Sequence, residues 1–199
     1  MTGSARTDLQ RWSARVDPAW SVEAWRAVAR TALQRQVTPP QLDWLDAGDH
    51  SLLDAPSVLD APLPVEPTPT QAAVPRDFLE LAATCLCHRE PQRLALLYRM
   101  LWRITHGERR LLTNPADPDV VRAMALAQAV RRDAHKMKAF VRFREVPGEQ
   151  EAFIAWFEPD HHIVDRVAPF FARRFAGMRW AILTPMRSAR WDGSTLSFG

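Results

Sequence analysis

The first half of the chain carries apolar residues at helical spacing. Residues 21–35 show the pattern most clearly, with Ser21 as a plausible N-cap before Val22, Trp25, Val28, Ala29, Ala32 and Leu33. The same spacing predicts helices over 77–87, from about 90 to 105, and from 118 to about 136. In the last of these, the predicted buried positions are Val120, Val121, Met124, Ala127 and Val130.

The pattern then changes to the alternation that is typical of strands. Strands are predicted at Lys138–Val146, Glu151–Glu158, Trp180–Thr184, Ser188–Trp191 and Ser194–Phe198. Pro147-Gly148-Glu149 and Asp192-Gly193 are the predicted hairpin turns, and one helix is expected over 159–175. The predicted fold is therefore α+β: a helical N-terminal half followed by an antiparallel sheet with one intervening helix.

Residues 36–75 hold eight of the sixteen prolines, which excludes a helix interior or a central strand. We therefore expect two regions: an N-terminal helix plus a proline-rich irregular segment over 1–75, and an α+β domain over 76–199. The irregular segment also contains apolar residues that a purely solvated linker would not need, so parts of it should pack: Trp44, Leu45, Leu52, Leu53, Val58 and Leu59. Because the chain stops at Gly199 directly after a predicted strand, we expect that it is truncated at this end.

Charge is unevenly distributed. The whole chain has a net charge of +3, but residues 1–75 have a net charge of −3 and residues 76–199 of +6. A basic half favours a polyanionic partner. Of the 26 positive residues only Lys136 and Lys138 are lysine. A GC-rich genome alone would account for that ratio, so only the positions of the arginines are informative.

Other features exclude several classes of protein. No apolar run reaches the roughly 18 residues that span a bilayer, and the polar N-terminus is not a secretory signal. Cys85 and Cys87, separated by one residue, favour buried thiols in a reducing cytoplasm. Nucleotide-binding glycine loops and the common hydrolase motifs are absent from the sequence. We therefore expect a cytoplasmic protein with no cofactor and no membrane partner.

The densest run of polar residues extends from Arg131 to Arg144. Read as a strand after about residue 137, it places Met137, Val141 and Phe143 on a core face and cations on the other. Cations around an aromatic ring suit a phosphate backbone with a stacked base, although a solvated strand face would look the same. The candidate nucleic-acid-binding residues are Lys136, Lys138, Phe140, Arg142, Arg144 and Arg173.

A second cluster, at 158–162, contains carboxylates and histidines that could transfer protons or bind a metal. Asp160 could instead be the N-cap of the following helix. We expect no metal, because two cysteines one residue apart cannot supply a four-ligand site; Glu158, His161 and His162 would be the ligands to test otherwise. The candidate acid–base residues are Asp133, His135, Glu158 and His161.

Several motifs together resemble a bacterial domain of unknown function that is assigned to DNA metabolism. They are Leu96-Leu97-Tyr98-Arg99, the run from Arg132 to Arg144, Ala155-Trp156-Phe157-Glu158-Pro159 with the following histidines, Pro169-Phe170-Phe171 with Arg174-Phe175, and Trp180 to Pro185 continuing to Trp191-Asp192-Gly193. The similarity covers about 120 residues and is weaker before residue 75.

That domain occurs alone or N-terminal to a UdgX-type uracil-DNA glycosylase, and beside a radical-SAM-like repair protein. The resemblance therefore implies a role in DNA repair or DNA metabolism, but no mechanism. Two features of that setting are missing from the chain: the glycosylase domain with its four cluster-binding cysteines, and a basic, aromatic helical tail after the equivalent of Gly199.

Two functional hypotheses follow. In the first, the chain is a DNA-repair-associated module that binds nucleic acid or positions a glycosylase-like or radical-SAM-like partner. In the second, it is an enzyme that acts on a nucleotide or nucleic acid through an Asp/His/Glu acid–base site. A domain that only positions a neighbour is a third possibility. Convergence of the acid–base residues would favour the enzyme, and an open cationic surface would favour the binding module.

Overall fold

The chain divides into two units in a computed structural model, which describes residues 10–45, 55–60, 73–148 and 152–199. Among these residues, the first unit is drawn from Met1–Leu86 and Glu90–Met124. The second is drawn from Cys87–Arg89 and Ala125–Gly199.

The first unit contains the first three predicted helices. After strand β1 (Trp12–Arg15), helix α1 spans Val22–Gln34, and the Ser21 hydroxyl caps it by accepting the Ala24 N–H. Helix α2 spans Arg76–Cys85 and α3 spans Arg93–Thr105. All three were predicted from their apolar spacing. Cys85 and Cys87 are both buried, as expected.

A short parallel sheet in the first unit was not predicted. Strand β2 (Leu42–Leu45) pairs with β1 in parallel, with Trp12 opposite Leu42. The proline-rich segment does pack in part, since Leu42 and Val58 are buried. Leu59 is exposed, and Leu52 and Leu53 lie outside the described residues.

Helix α4 (Pro118–Phe140) is longer than predicted, and the strand prediction for Lys138–Phe143 is wrong. Asp117 starts the helix, since its carboxylate accepts the N–H groups of Asp119 and Val120. The inward positions Val130, Ala134, Met137 and Val141 recur every three or four residues. Residues 137 and 141 share a face under both helical and strand periodicity, so alternation alone could not separate the two structures.

The same helix shows a second difference from the prediction. Val121 and Met124 are exposed, whereas Val120, Ala123 and Ala127 are buried. The helix therefore buries a narrower apolar stripe than the sequence predicts.

The second unit is built on a five-stranded sheet in the order β3-β4-β5-β6-β7. The strands are β3 (Arg144–Glu145), β4 (Ala152–Trp156), β5 (Arg179–Leu183), β6 (Ala189–Trp191) and β7 (Leu196–Phe198). The β6–β7 turn was predicted from Asp192-Gly193, and Gly193 adopts φ +103°. In the β3–β4 turn, Glu149 lies outside the described residues.

Helix α5 (Val164–Arg174) connects β4 to β5, and such a crossover allows these two strands to be parallel, whereas the other pairs of this sheet are antiparallel. The α+β class is confirmed. The helix packs on one face of the sheet, where Phe171, Trp180 and Ile182 belong to the buried core. Within the described part of the chain, no helix is long and apolar enough to cross a membrane.

The burial of Met137 predicts a clear difference between two neighbouring substitutions. Met137 is fully buried in the second unit's core, so Met137→Ala should lower the free energy of unfolding by about 2–5 kcal/mol. His135→Ala, on the exposed side of the same helix, should change it by less than about 0.5 kcal/mol. Urea unfolding of both variants measures the difference, and equal losses would contradict the burial of Met137.

Candidate functional site

Every exposed charge between residues 131 and 144 is positive. The one carboxylate in this segment, Asp133, is buried at 3% exposure. The exposed cations are Arg131, Arg132, Lys136, Lys138, Arg142 and Arg144. We call this segment the basic segment; it comprises the end of α4 and the start of the sheet.

Two of these cations are held by local contacts. The Lys138 Nζ lies 5.2 Å from the centroid of the Phe170 ring on α5, within the range of a cation–π interaction. Arg142 Nη1 donates to the carbonyls of Ala139 and Val141 and so stabilises the end of its own helix. Both side chains remain exposed.

The other two predicted binding residues are also on the surface. Phe140 is 67% exposed, although it is a large apolar side chain in the last position of α4. Arg173 is exposed in the last turn of α5, a position that the helix dipole favours for a cation. The structure thus leaves all six predicted binding residues accessible.

The four acid–base candidates do not form one site, because only Asp133 and His161 are in contact. The Asp133 carboxylate accepts a hydrogen bond of 2.9 Å from the backbone N–H of His161, and both residues are buried. His135 is exposed on α4. Glu158 is also exposed, and its Oε1 accepts the indole N–H of Trp156 at 2.9 Å. In the described residues, no hydrogen bond or ion pair joins His135 or Glu158 to Asp133.

A third residue of this site, the half-buried His88, was missed by sequence reasoning. The His88 and His161 rings lie 4.2 Å apart between centroids, and the His162 N–H donates to the Cys87 carbonyl at 2.8 Å. His88 is far from His161 in the sequence and in no shared motif, so no local signal could have paired them. We call Asp133, His161 and His88 the buried polar site.

Burial shifts two pKa values of this site in opposite directions. Desolvation, with a contribution from the Asp160 charge, raises the pKa of Asp133 above its usual value, against the N–H groups of His161 and Asp160. Desolvation lowers the pKa of His161, with Arg89 adding to the effect and Asp160 opposing it. The His161 Nδ1 is buried with no hydrogen-bond partner among the described residues.

Asp160 does not have the predicted capping role. Helix α5 begins at Val164, its N-cap is Ile163, and no side chain caps it. The prediction of a helix from residue 159 fails because Asp133 holds the His161 N–H and the chain turns there before the helix begins. Among the described residues, no group of three or more His, Cys, Asp or Glu side chains is arranged to hold a metal ion.

Comparison with known proteins identifies the family to which the chain belongs. The family described as Domain of unknown function (DUF4130) matches residues 91–192, just over half of the chain. No curated protein and no solved structure matches the chain.

The hydrogen bond from His161 to Asp133 predicts different effects for two substitutions. Asp133→Ala leaves the buried His161 N–H without an acceptor, which should cost about 1–3 kcal/mol of unfolding free energy. Asp133→Asn keeps a carbonyl acceptor of similar shape and should cost less. Chemical denaturation measures both losses. Equal losses would show that the acceptor is not what the site requires.

The lowered pKa of His161 predicts a pH dependence with a definite sign. Because the folded pKa lies below the unfolded value of 6.5, the stabilisation is present above about pH 6.5 and is lost as pH falls through the folded pKa. The stability of the wild type relative to His161→Gln should therefore decrease below pH 6.5. Chemical denaturation across a pH series measures the difference, and a constant difference would contradict the prediction.

Proposed function

Because the chain belongs to the DUF4130 family, whose description leaves its function open, we propose a function from the site itself: a nucleic-acid-binding module. The setting of this module in DNA repair or DNA metabolism is what the resemblance of the sequence implies. The observation that carries this proposal is the charge of the basic segment, where six cations are exposed and the one carboxylate is buried.

This arrangement suits a phosphate backbone. Lysine and arginine side chains that neutralise phosphates release condensed counterions, which supplies most of the affinity of non-specific binding. Asp133, the one carboxylate between residues 131 and 144, is turned into the protein, and the nearest exposed carboxylate along the chain is that of Glu145, directly after Arg144. Lys136 and Phe140 are four residues apart on α4, so a cation and an aromatic ring share one side of the helix.

The proposal extends to a partner through the resemblance of the sequence. A uracil-DNA glycosylase-like domain or a radical-SAM-like repair protein is the partner class that the module would position on DNA. Its basic segment would then hold the nucleic acid while the partner carries out the chemistry.

The second candidate function is an enzyme that uses the buried polar site. One observation favours it: His161 has an unpartnered Nδ1, and its pKa and that of Asp133 are shifted in opposite directions. His135 and Glu158 would act there only after a rearrangement, since both are exposed in the structure. Turnover of a labelled nucleotide or oligonucleotide that His161→Gln abolishes would establish this function.

The salt dependence of DNA affinity tests the binding proposal. Each phosphate contact contributes about −0.9 to the slope of log K against log salt on duplex DNA. Changing Lys138, Arg142 and Arg144 together to Gln should therefore flatten the slope by about 3 units at most. Fluorescence anisotropy of a labelled duplex across a salt series measures it.

Two control variants separate the effect of the basic segment from the effect of net charge. Changing Arg26, Arg30 and Arg109 together to Gln removes the same charge from exposed positions outside the basic segment, and should leave the slope nearly unchanged. Phe140→Ala should also preserve the slope, but weaken single-stranded binding by about 1–3 kcal/mol through lost stacking. A wild-type chain with no affinity for DNA at low salt would refute the proposal.

A further inference from the structure

In the described part of the second unit, one face of the sheet carries an exposed residue on every strand. Strand pairing places one row of residues across all five strands on this face: Arg144, Ile154, Ala181, Arg190 and Ser197. Phe153, Ala155, Trp180 and Ile182 alternate with them and pack into the core on the other side. We call the side with the exposed residues the open sheet face.

The centre of the open sheet face is apolar and exposed. Ile154 is 39% exposed and Trp156, two residues further along β4, is 59% exposed. Trp156 pairs with Leu183 of β5, and Ile154 with Ala181. Large apolar side chains at the middle of a sheet are normally buried, so an exposed pair of this kind indicates a contact surface.

Arginines flank this apolar centre. Arg144 on β3 and Arg190 on β6 are exposed and lie in the same row, three strands apart. Since neighbouring strands lie about 4.8 Å apart, their Cα atoms are separated by about 14 Å. Arg179, opposite Ala152, adds a third arginine along β5.

Two carboxylates near the open sheet face, those of Glu158 and Asp192, accept hydrogen bonds from neutral N–H groups and keep their charge. Glu158 accepts the Trp156 indole N–H, which fixes the ring and satisfies its one polar group. Asp192 accepts the backbone N–H groups of Ser194 and Thr195 in the β6–β7 turn. The flat face of the Trp156 indole and the guanidinium groups of Arg144 and Arg190 are the exposed groups that can contact a base and a phosphate.

We propose that the open sheet face is a platform for single-stranded nucleic acid, in which an unpaired base stacks on Trp156 and phosphates contact Arg144 and Arg190. This inference rests on the proposed function and names its substrate class. Stacking on a side chain needs an unpaired base, whereas a duplex keeps its paired bases inside its own stack. A second copy of the chain fits poorly, because a two-fold interface would bring arginine-rich surfaces together.

The experiment compares a labelled oligo-dT, an oligo-rU of the same length and a duplex by fluorescence anisotropy across a salt series. Trp156→Ala should weaken binding of both single strands by about fivefold to a hundredfold and preserve the salt slope. Trp156→Phe should restore most of the affinity. Arg190→Gln should reduce the single-strand slope by about 0.7, whereas Arg109→Gln, an exposed control outside this sheet, should not.

The outcomes separate this inference from the proposed function. Loss of single-strand affinity in Trp156→Ala, with duplex affinity retained, supports the platform. If single strands bind with wild-type affinity to both Trp156→Ala and Arg190→Gln, the platform is refuted, while a slope that depends on the basic segment leaves the proposed function standing. Equal losses on duplex and single strand also refute stacking. A wild-type chain that binds none of the three probes refutes both proposals.

Discussion

The second unit depends on a buried carboxylate that needs a hydrogen-bond donor. Asp133 is removed from water on α4, and the His161 N–H satisfies it at 2.9 Å. A buried carboxylate without a hydrogen-bond donor would lower the stability of the fold. The hydrogen bond from His161 therefore holds the turn before α5 against α4. The start of α5 follows from that tie, and α5 in turn connects β4 to β5 in parallel.

The same interaction shapes the electrostatics of the surface. With its one acidic member turned inward, the segment from 131 to 144 presents only positive charge to solvent. The helical geometry matters as well, because it directs Met137 into the core while Lys136, Lys138 and Phe140 remain outside. A single helix thereby contributes both to the core and to the surface that we propose for nucleic acid.

The two faces of the sheet likewise separate buried residues from exposed ones. Its covered face joins the aromatic core around Phe171 and Trp180, and its open face carries Trp156 between arginines. Arg144 belongs to both surfaces, since it ends the basic segment and begins the row across the sheet. The binding proposal uses exposed groups of both surfaces, whereas the enzyme alternative relies on Asp133 and His161, whose contact also has a structural role.

Local sequence patterns were sufficient for α1, α2 and α3, for the β6–β7 hairpin and for the α+β class, because periodicity, capping and turn chemistry act within a few residues. They also identified the basic segment and the exposure of Phe140. They misjudged the end of α4, where a spacing of four residues fits either structure. The parallel pairs β1–β2 and β4–β5, the bond from His161 to Asp133 and the contact of His88 with His161 were decided by the tertiary structure. Each of them joins segments that are distant in the sequence, and their proximity depends on how the core packs rather than on any local pattern.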